Sequence, residues 1–170
     1  MVQIIGRNLY LEAEPEAPLP LFLRISLRFM HIFNPTTYDS SHYDAVVRLL
    51  GQLTTRSISF SEVDYRALIT SSNNQLFLLQ DDGQVIGMLT VGVYFSPTGS
   101  KAWIEDVVID NMFRGRGLGR KLVAHAIEYC KSQAINTLML TSNPKRVAAN
   151  ALYQSLGFER KETNVYKMIF

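Results

Sequence analysis

Cysteine is almost missing from this chain, which has one, Cys130, among its 170 residues. A single thiol excludes an intrachain disulfide, and with it the class of small scaffolds that disulfides hold together. Cys130 falls on the apolar face of a predicted helix, which favours a buried and unreactive thiol. The histidines, His31, His42 and His125, are scattered, and no histidine–cysteine cluster has zinc spacing. We therefore expect no metal.

Charge of either sign is also sparse. The 17 basic and 15 acidic side chains leave a net charge of +2, which is too weak to favour nucleic-acid binding by bulk electrostatics. Residues 21–33 are apolar, but Arg24 and Arg28 interrupt them, so the run resembles neither a signal-peptide core nor a membrane span. We expect a cytoplasmic protein without a nucleic-acid or membrane partner.

The first 29 residues differ from the rest of the chain. Residues 12–20 are acidic and rich in proline, which indicates an extended segment, and residues 23–33 alternate as a strand does. We expect an N-terminal extension over 1–29 and one domain over 30–170. The extension is open to three interpretations: an arm that adds a strand to a partner, a mobile tail, or translated sequence ahead of a start at Met30. Monomer and homodimer both remain open.

The domain contains a regular succession of helix and strand patterns. Asp82-Gly83 between two apolar runs is a strong hairpin signal. The predicted order is β-α-α-β-β-β-α-β-α-β-β, an α/β (α+β) class with a mixed, mostly antiparallel sheet of about seven strands flanked by about four helices. The helices are predicted over 41–53, 61–70, 117–132 and 146–156, and the strands over 21–33, 75–80, 85–95, 102–109, 137–141, 158–160 and 165–170.

A basic, glycine-rich turn precedes the third helix. Glycine occupies every second position at Gly115, Gly117 and Gly119, where it can present backbone N–H groups with no Cβ in the way. A helix start adds unpaired N–H donors and the positive end of a dipole, so the turn fits an anion. The alternative is a tight connection without a ligand. Nearby positive charge comes from Arg114, Arg116, Arg120 and Lys121.

Two phosphate-binding motifs are excluded at this turn. A Walker loop requires Gly-Lys-Ser/Thr, but Gly119 is followed by Arg120 and Lys121. A dinucleotide fingerprint that starts at Gly115 requires glycine at position 120, which is arginine. The anion is therefore neither a P-loop triphosphate nor the pyrophosphate of a Rossmann domain.

Two motifs together resemble those of a known family. Residues 114–119 read Arg-Gly-Arg-Gly-Leu-Gly and fit the pattern Arg/Gln-x-x-Gly-x-Gly/Ala, and residues 151–158 read Ala-Leu-Tyr-Gln-Ser-Leu-Gly-Phe. One helix and one strand separate them. The chain from Met30 to Phe170 thus resembles the GCN5-related N-acetyltransferases, the GNAT superfamily, which transfer acetyl from acetyl-CoA to an amine. Residues 1–29 lie outside the resemblance.

The resemblance implies acetyl-CoA as co-substrate. Backbone N–H groups of 115–120 would hold its pyrophosphate, and its pantetheine arm would lie along the strand at 107–109, in a splay between strands 102–109 and 137–141. Many members have asparagine seven residues before the motif tyrosine. Here that residue is Arg146, and the asparagine stands earlier, at Asn143. The implied cofactor-binding residues are Val107, Val108, Ile109, Arg114, Gly115, Arg116, Gly117, Leu118, Gly119, Arg120, Asn143, Arg146 and Tyr153.

The resemblance also implies catalytic residues. Tyr153 stands where the family often places the acid that protonates the leaving thiolate; the alternative is a core aromatic residue. Glu105 stands where several members place a base, often acting through water; the alternative is a structural carboxylate. Asp106 points away from Glu105 in a regular strand, so both serve one site only if a bulge intervenes. The N–H of Ile109 is an expected oxyanion donor by analogy.

The acceptor of the acetyl group carries no motif. We expect a primary amine of a small molecule, an amino acid or a protein, bound by segments 34–73 and 160–167. The alternative function is a non-catalytic CoA-binding regulatory or interaction module on the same fold. These segments contain several candidate side chains for the acceptor site, although several of them are expected in the core or at the surface. The candidates are Tyr38, Tyr43, Arg56, Phe60, Tyr65 and Tyr166.

Overall fold

One five-stranded sheet organises the domain in the computed structural model, which describes residues 29–54 and 58–169. The strands lie in chain order, and each of the first four is antiparallel to its neighbour, whereas the fifth is parallel to the fourth. The sheet is therefore mixed and mostly antiparallel, as the sequence predicts. The strands are β1 (Met30–Phe33), β2 (Asn74–Asp81), β3 (Gln84–Ser96), β4 (Gly99–Ile109) and β5 (Thr137–Leu140).

Three helices connect these strands and a fourth follows β5, each where the sequence predicts a helix. Asp39 caps the first through the backbone N–H groups of Ser41 and His42, and Ser61 with Asp64 forms the predicted capping box of the second. None of the helices in the described part of the chain is long and apolar enough to cross a membrane. The helices are α1 (Ser40–Leu53), α2 (Glu62–Ile69), α3 (Leu118–Ser132) and α4 (Val147–Ser155), with a 3-10 turn at Asn111–Phe113.

The helices cover both faces of the sheet. Helices α1 and α2 bury Val46, Leu49 and Tyr65 against one face. Helix α3 buries Leu122 and Val123 against the other face, where Leu152 of α4 also packs. A ligand that passes between two strands would therefore connect the α1 side with the α3 side.

Two residues on one face of α1 hold the chain just beyond β4. Arg48 forms an ion pair with Asp110, which is 5% exposed, and donates a second hydrogen bond to the Val85 carbonyl at 2.7 Å. One helical turn later, Gln52 accepts a hydrogen bond from the N–H of Asn111 at 2.8 Å. Helix α1 thus fixes the segment that leads into the glycine-rich turn.

Removing Arg48 should destabilise the fold, because Asp110 would remain buried without a partner. We expect Arg48→Met to lower the free energy of unfolding by about 2 kcal/mol, below the ~3–5 kcal/mol of a fully buried pair, because the Arg48 side chain is 39% exposed. Urea unfolding measures the change, and Asp110→Asn added to Arg48→Met should recover part of it. Lys131→Met, which breaks an ion pair exposed by 68% and 71%, is the control and should cost less than about 0.5 kcal/mol. Equal losses in both variants would contradict this account.

The predicted closing hairpin was wrong. Residues 158–169 form no strand, and Val165, Tyr166, Met168 and Ile169 are 72–88% exposed. The turn between the predicted strands, at 162–164, has no Asn-Gly or Asp-Gly pair, whereas Asp82 and Gly83 between β2 and β3 adopt φ of 50° and 80°. The described residues therefore form five strands rather than seven. The predicted strand over 21–33 is present as β1 at Met30–Phe33, and its part before Phe29 lies outside the described residues.

Candidate active site

Strands β4 and β5 separate halfway along β4. Their pairing runs from Lys101 opposite Thr137 to Ile104 opposite Leu140, where β5 ends. Strand β4 continues to Ile109, so its last five residues have no partner in β5. This divergence is the splay expected from the resemblance, and it opens the sheet between its two helical faces.

A cleft of about 250 Å³ lies at the splay. Its walls come from the end of α1, the second half of β4, the end of β5 and the start and middle of α4. The cleft combines charged side chains with a phenol. The lining residues are Leu53, Thr54, Ile104, Glu105, Asp106, Val107, Leu140, Thr141, Ser142, Arg146 and Tyr153.

A β-bulge brings the two carboxylates of β4 to the same cleft. Thr90 of β3 pairs with Glu105 and Met88 pairs with Val108, so one residue of β3 faces two of β4. Asp106, within the bulge, adopts a φ of +52°, a conformation that aspartate tolerates better than most residues. The strict alternation of a regular strand is broken here, and Asp106 joins Glu105 in the cleft lining.

The cleft changes the acidity of both carboxyl groups. Partial burial raises the pKa of Glu105, and the negative charge of Asp106 raises it further. Partial burial also raises the pKa of Asp106. Both residues are nonetheless exposed, and solvent screening moderates these shifts. A carboxylate with a raised pKa accepts a proton more readily near neutral pH, as a general base must.

Neutralising Asp106 should therefore change the pH profile. Asp106→Asn removes the charge that raises the pKa of Glu105, and asparagine also tolerates the positive φ. We expect the acidic limb of kcat/KM to move to lower pH, because Glu105 loses its proton sooner. Asp82→Asn, at a φ of 50° in the β2–β3 turn, should leave the limb in place. If the acidic limb of kcat/KM stays at the same pH or moves to higher pH in Asp106→Asn, the charge of Asp106 does not raise the pKa of Glu105.

Tyr153 enters the cleft from the middle of α4. The side chain is half-buried, and its ring packs edge-on against Phe158 with centroids 6.0 Å apart. Burial raises the pKa of the Tyr153 phenol, and the charge of Arg146 offsets part of that rise. The phenol is therefore protonated at neutral pH and can donate a proton in the cleft.

Two glycines of the glycine-rich turn adopt positive φ. Gly115 and Gly117 have φ of 76° and 72°, and a Cβ at either would meet no heavy atom within 4 Å. Helix α3 begins at Leu118, so the open side of the turn adjoins N–H groups that have no partner within the helix. At Gly119 a Cβ would lie 3.5 Å from Leu152, where α3 approaches α4. The turn can hold an anion on the α3 side of the sheet.

The basic side chains around this turn are partly engaged within the protein. Arg114 donates to the Ile109 carbonyl at 3.0 Å, which occupies an acceptor that the resemblance leaves open for pantetheine. Arg120 hydrogen-bonds to Ser155 of α4. Arg116 lies over the Phe113 ring, 5.2 Å from its centroid. Arg114 and Arg120, which are both expected to bind the anion, therefore also stabilise the turn and its contact with α4.

Other expected site residues lie outside the cleft. The side-chain oxygen of Asn143 accepts a hydrogen bond from the N–H of Lys145 at 2.9 Å, so this side chain stabilises the loop before α4. The half-buried Asn150 side chain of α4 donates to the Asn143 carbonyl at 3.0 Å. The side chains of Val108 and Leu118 are buried in the core. Neither of these two side chains is therefore open to a ligand.

The aromatic residues considered for the acceptor site pack mostly against one another. The Tyr65 side chain is fully buried, and burial raises the pKa of its phenol to about 12. Tyr43 packs against both Tyr65 and Phe60, with centroids 5.8 and 6.5 Å apart. These rings belong to the core under α1 and α2. Tyr166 is 88% exposed, and Arg56 lies outside the described residues.

Some residues of the site carry no sequence signal. Leu53 and Thr54 line the cleft because α1 ends beside the splay. Arg48 and Asp110, which hold the chain beyond β4, are 62 positions apart in sequence, so no local pattern connects them. The sequence places Asp106 next to Glu105, but only the bulge brings Asp106 into the cleft lining. Within 29–54 and 58–169, histidine, cysteine and acidic side chains form no group of three that could hold a metal ion.

Comparison with known proteins gives a family for this architecture. Residues 43–158 match the model of the acetyltransferase (GNAT) family. The chain is 28% identical over 130 residues to a glucosamine 6-phosphate N-acetyltransferase of Arabidopsis thaliana. The aligned region covers 71% of this chain and 85% of that protein. This chain spans less than half the length of three further curated relatives.

Solved structures share the fold. The crystal structure of glucosamine-6-phosphate N-acetyltransferase from Arabidopsis thaliana has a TM-score of 0.70 and 22% identity, covering 84% of this chain and 99% of that one. An aminoglycoside N-acetyltransferase in complex with CoA has a TM-score of 0.66 and 17% identity, covering 84% and 95%. At these identities the two structures show the fold alone, and the family rests on the match over 43–158. The chain therefore belongs to the acetyltransferase (GNAT) family of acyltransferase enzymes.

Proposed function

We propose that this protein transfers acetyl directly from acetyl-CoA to a primary amine of a small molecule, an amino acid or a protein. The observation that carries the proposal is the cleft at the β4–β5 splay. It combines carboxylates of raised pKa with a protonated phenol, and it opens between the two helical faces of the sheet. The glycine-rich turn lies on the α3 face, so donor and acceptor can approach from opposite sides.

The donor would bind along the α3 face. The turn at Gly115 and Gly117 leaves space where a Cβ would stand, which suits the close approach of a pyrophosphate to backbone N–H groups. The pantetheine arm would pass Val107, which lines the cleft where β4 has lost its β5 neighbour. An acetyl thioester at the end of this arm would then lie between β4 and Tyr153.

The residues of the cleft supply the proton transfers that aminolysis of a thioester requires. Glu105 accepts a proton from the ammonium group of the acceptor, directly or through water, which frees the nitrogen lone pair. As the nitrogen bonds to the acetyl carbon and the carbon–sulfur bond breaks, the Tyr153 phenol donates its proton to the sulfur. The backbone N–H of Ile109 is our candidate donor to the carbonyl oxygen. The bonded nitrogen then loses its second proton, which returns the Tyr153 phenolate to its neutral form through solvent, and Glu105 releases its proton to solvent. Each turnover thus gives the amide, the CoA thiol and one proton.

Thiol release from acetyl-CoA tests this function. Curated relatives act, by their names, on glucosamine 6-phosphate and on an alanine of ribosomal protein bS18, so the panel should include amino sugars, amino acids and peptide N-termini. We expect amine-dependent thiol release with at least one of these classes. A protein that binds CoA but releases no thiol with any amine would instead be a non-catalytic CoA-binding module. Cytoplasmic location and the choice between monomer and homodimer stay predictions.

A further inference from the structure

Arg146 connects the two faces of the sheet across the cleft. Its backbone caps the start of α4, which packs on the same face as α3. Its side chain extends to the end of α1 on the opposite face, where Nη2 donates to the Leu53 carbonyl at 3.3 Å. The guanidinium therefore lies on the α1 side of the splay, whereas the glycine-rich turn begins α3 on the other side.

Among residues 29–54 and 58–169, no acidic side chain forms an ion pair with Arg146. None of the ion pairs found within the described residues involves Arg146, Glu105 or Asp106. The contact of Arg146 is with a neutral carbonyl at a helix C-terminus, which attracts cations only weakly. The cleft thus contains one unpaired cation and two unpaired carboxylates, all facing the same small volume.

We propose that Arg146 binds an oxyanion, a carboxylate or a phosphate, that the amine acceptor itself carries. This inference rests on the proposed function and names the class of acceptor: an amine with an anionic group a few bonds away. The ammonium end lies toward Glu105 and Asp106, and the anionic end replaces the Leu53 carbonyl at the guanidinium. A planar guanidinium binds either oxyanion through two parallel hydrogen bonds.

The position of the guanidinium distinguishes this role from cofactor binding. A CoA phosphate held at the glycine-rich turn would lie on the α3 face, and the pantetheine arm that passes Val107 carries no charge. On the α1 face, by contrast, Arg146 is exposed and next to Thr54, where the chain leaves α1. The guanidinium is therefore open to a molecule that enters from this side.

Matched pairs of amines test the proposal. The pairs are glucosamine 6-phosphate with glucosamine, which probes phosphate, and L-methionine with L-methioninamide, which probes carboxylate. Isothermal titration into protein saturated with CoA measures binding without turnover, and thiol release gives the KM of each amine. The variants are Arg146→Gln, Arg146→Lys for partial rescue, and Lys145→Ala, which removes an exposed neighbouring cation outside the cleft lining.

We expect the anionic member of at least one pair to bind about tenfold to a hundredfold more tightly than its neutral partner. Arg146→Gln should abolish that difference, Lys145→Ala should preserve it, and the affinity for CoA should be unchanged in both. Equal binding within both pairs, no binding of any of the four amines, or a difference that survives Arg146→Gln would overturn the proposal. Weaker CoA binding in Arg146→Gln would assign the residue to the cofactor instead. Binding without thiol release would refute the acetyl transfer and leave the proposed acceptor site standing.

Discussion

Tyr153→Phe should lower kcat by about a hundredfold, because proton donation by a positioned side chain contributes roughly that factor or more. The substitution removes only the hydroxyl and keeps the ring that packs against Phe158. The affinity for acetyl-CoA should change little, since the proton is needed only when the carbon–sulfur bond breaks. Stopped-flow or steady-state thiol release measures kcat, and titration with CoA measures the affinity.

A matched control separates this effect from general loss of a tyrosine. Tyr129 on α3 is also partly buried, and burial raises the pKa of its phenol, but it packs against Phe77 outside the cleft lining. Tyr129→Phe should retain the kcat of the parent protein. If Tyr153→Phe is as active as the parent, Tyr153 is a core aromatic residue and another group protonates the thiolate.

Gly117→Asp should raise the Kd for CoA by about a hundredfold, equivalent to ~2.7 kcal/mol. A side chain at this position would enter the open space over the turn and place a negative charge beside the bound pyrophosphate. The strain from the φ of 72° adds to this effect, although aspartate tolerates positive φ better than most residues. Isothermal titration of CoA gives the change in Kd.

The β2–β3 turn supplies the control for backbone strain. Gly83 has a φ of 80° and open space around its Cβ position, as Gly117 has, but it belongs to the β2–β3 turn and does not line the cleft. Gly83→Asp should cost a similar amount of stability and leave the Kd for CoA unchanged. An unaltered Kd in Gly117→Asp would remove the glycine-rich turn from the donor site.

The elements that the sequence predicts correctly are those that local signals specify. Asp82-Gly83 predicts a hairpin because both residues accept positive φ, and the structure has that turn. The alternate glycines before α3 predict backbone N–H groups that no Cβ covers, and the structure has open space at the Cβ positions of Gly115 and Gly117. In these places the conformation depends on a few adjacent residues, so no knowledge of the tertiary fold is required.

The features that the sequence does not predict depend on distant pairing. The direction of Asp106 follows from a one-residue offset between β3 and β4, which no local pattern encodes. The ion pair of Arg48 with Asp110 joins residues that only the fold brings together. The prediction of a closing hairpin was wrong because residues 165–169 have apolar strand character but no turn that fixes which residues they pair with. The charged lining of the cleft thus emerges from tertiary structure.

Direct acetyl transfer is the central claim, and mass spectrometry of one reaction mixture tests it. The protein is mixed with isotopically labelled acetyl-CoA and an amine that supports thiol release, and both the amine and the intact protein are weighed. The account predicts one labelled acetyl group on the amine nitrogen and no label on the protein, whose lone thiol, Cys130, is buried away from the cleft. Label that accumulates on the protein before it reaches the amine, or thiol released without a labelled amine, would contradict it.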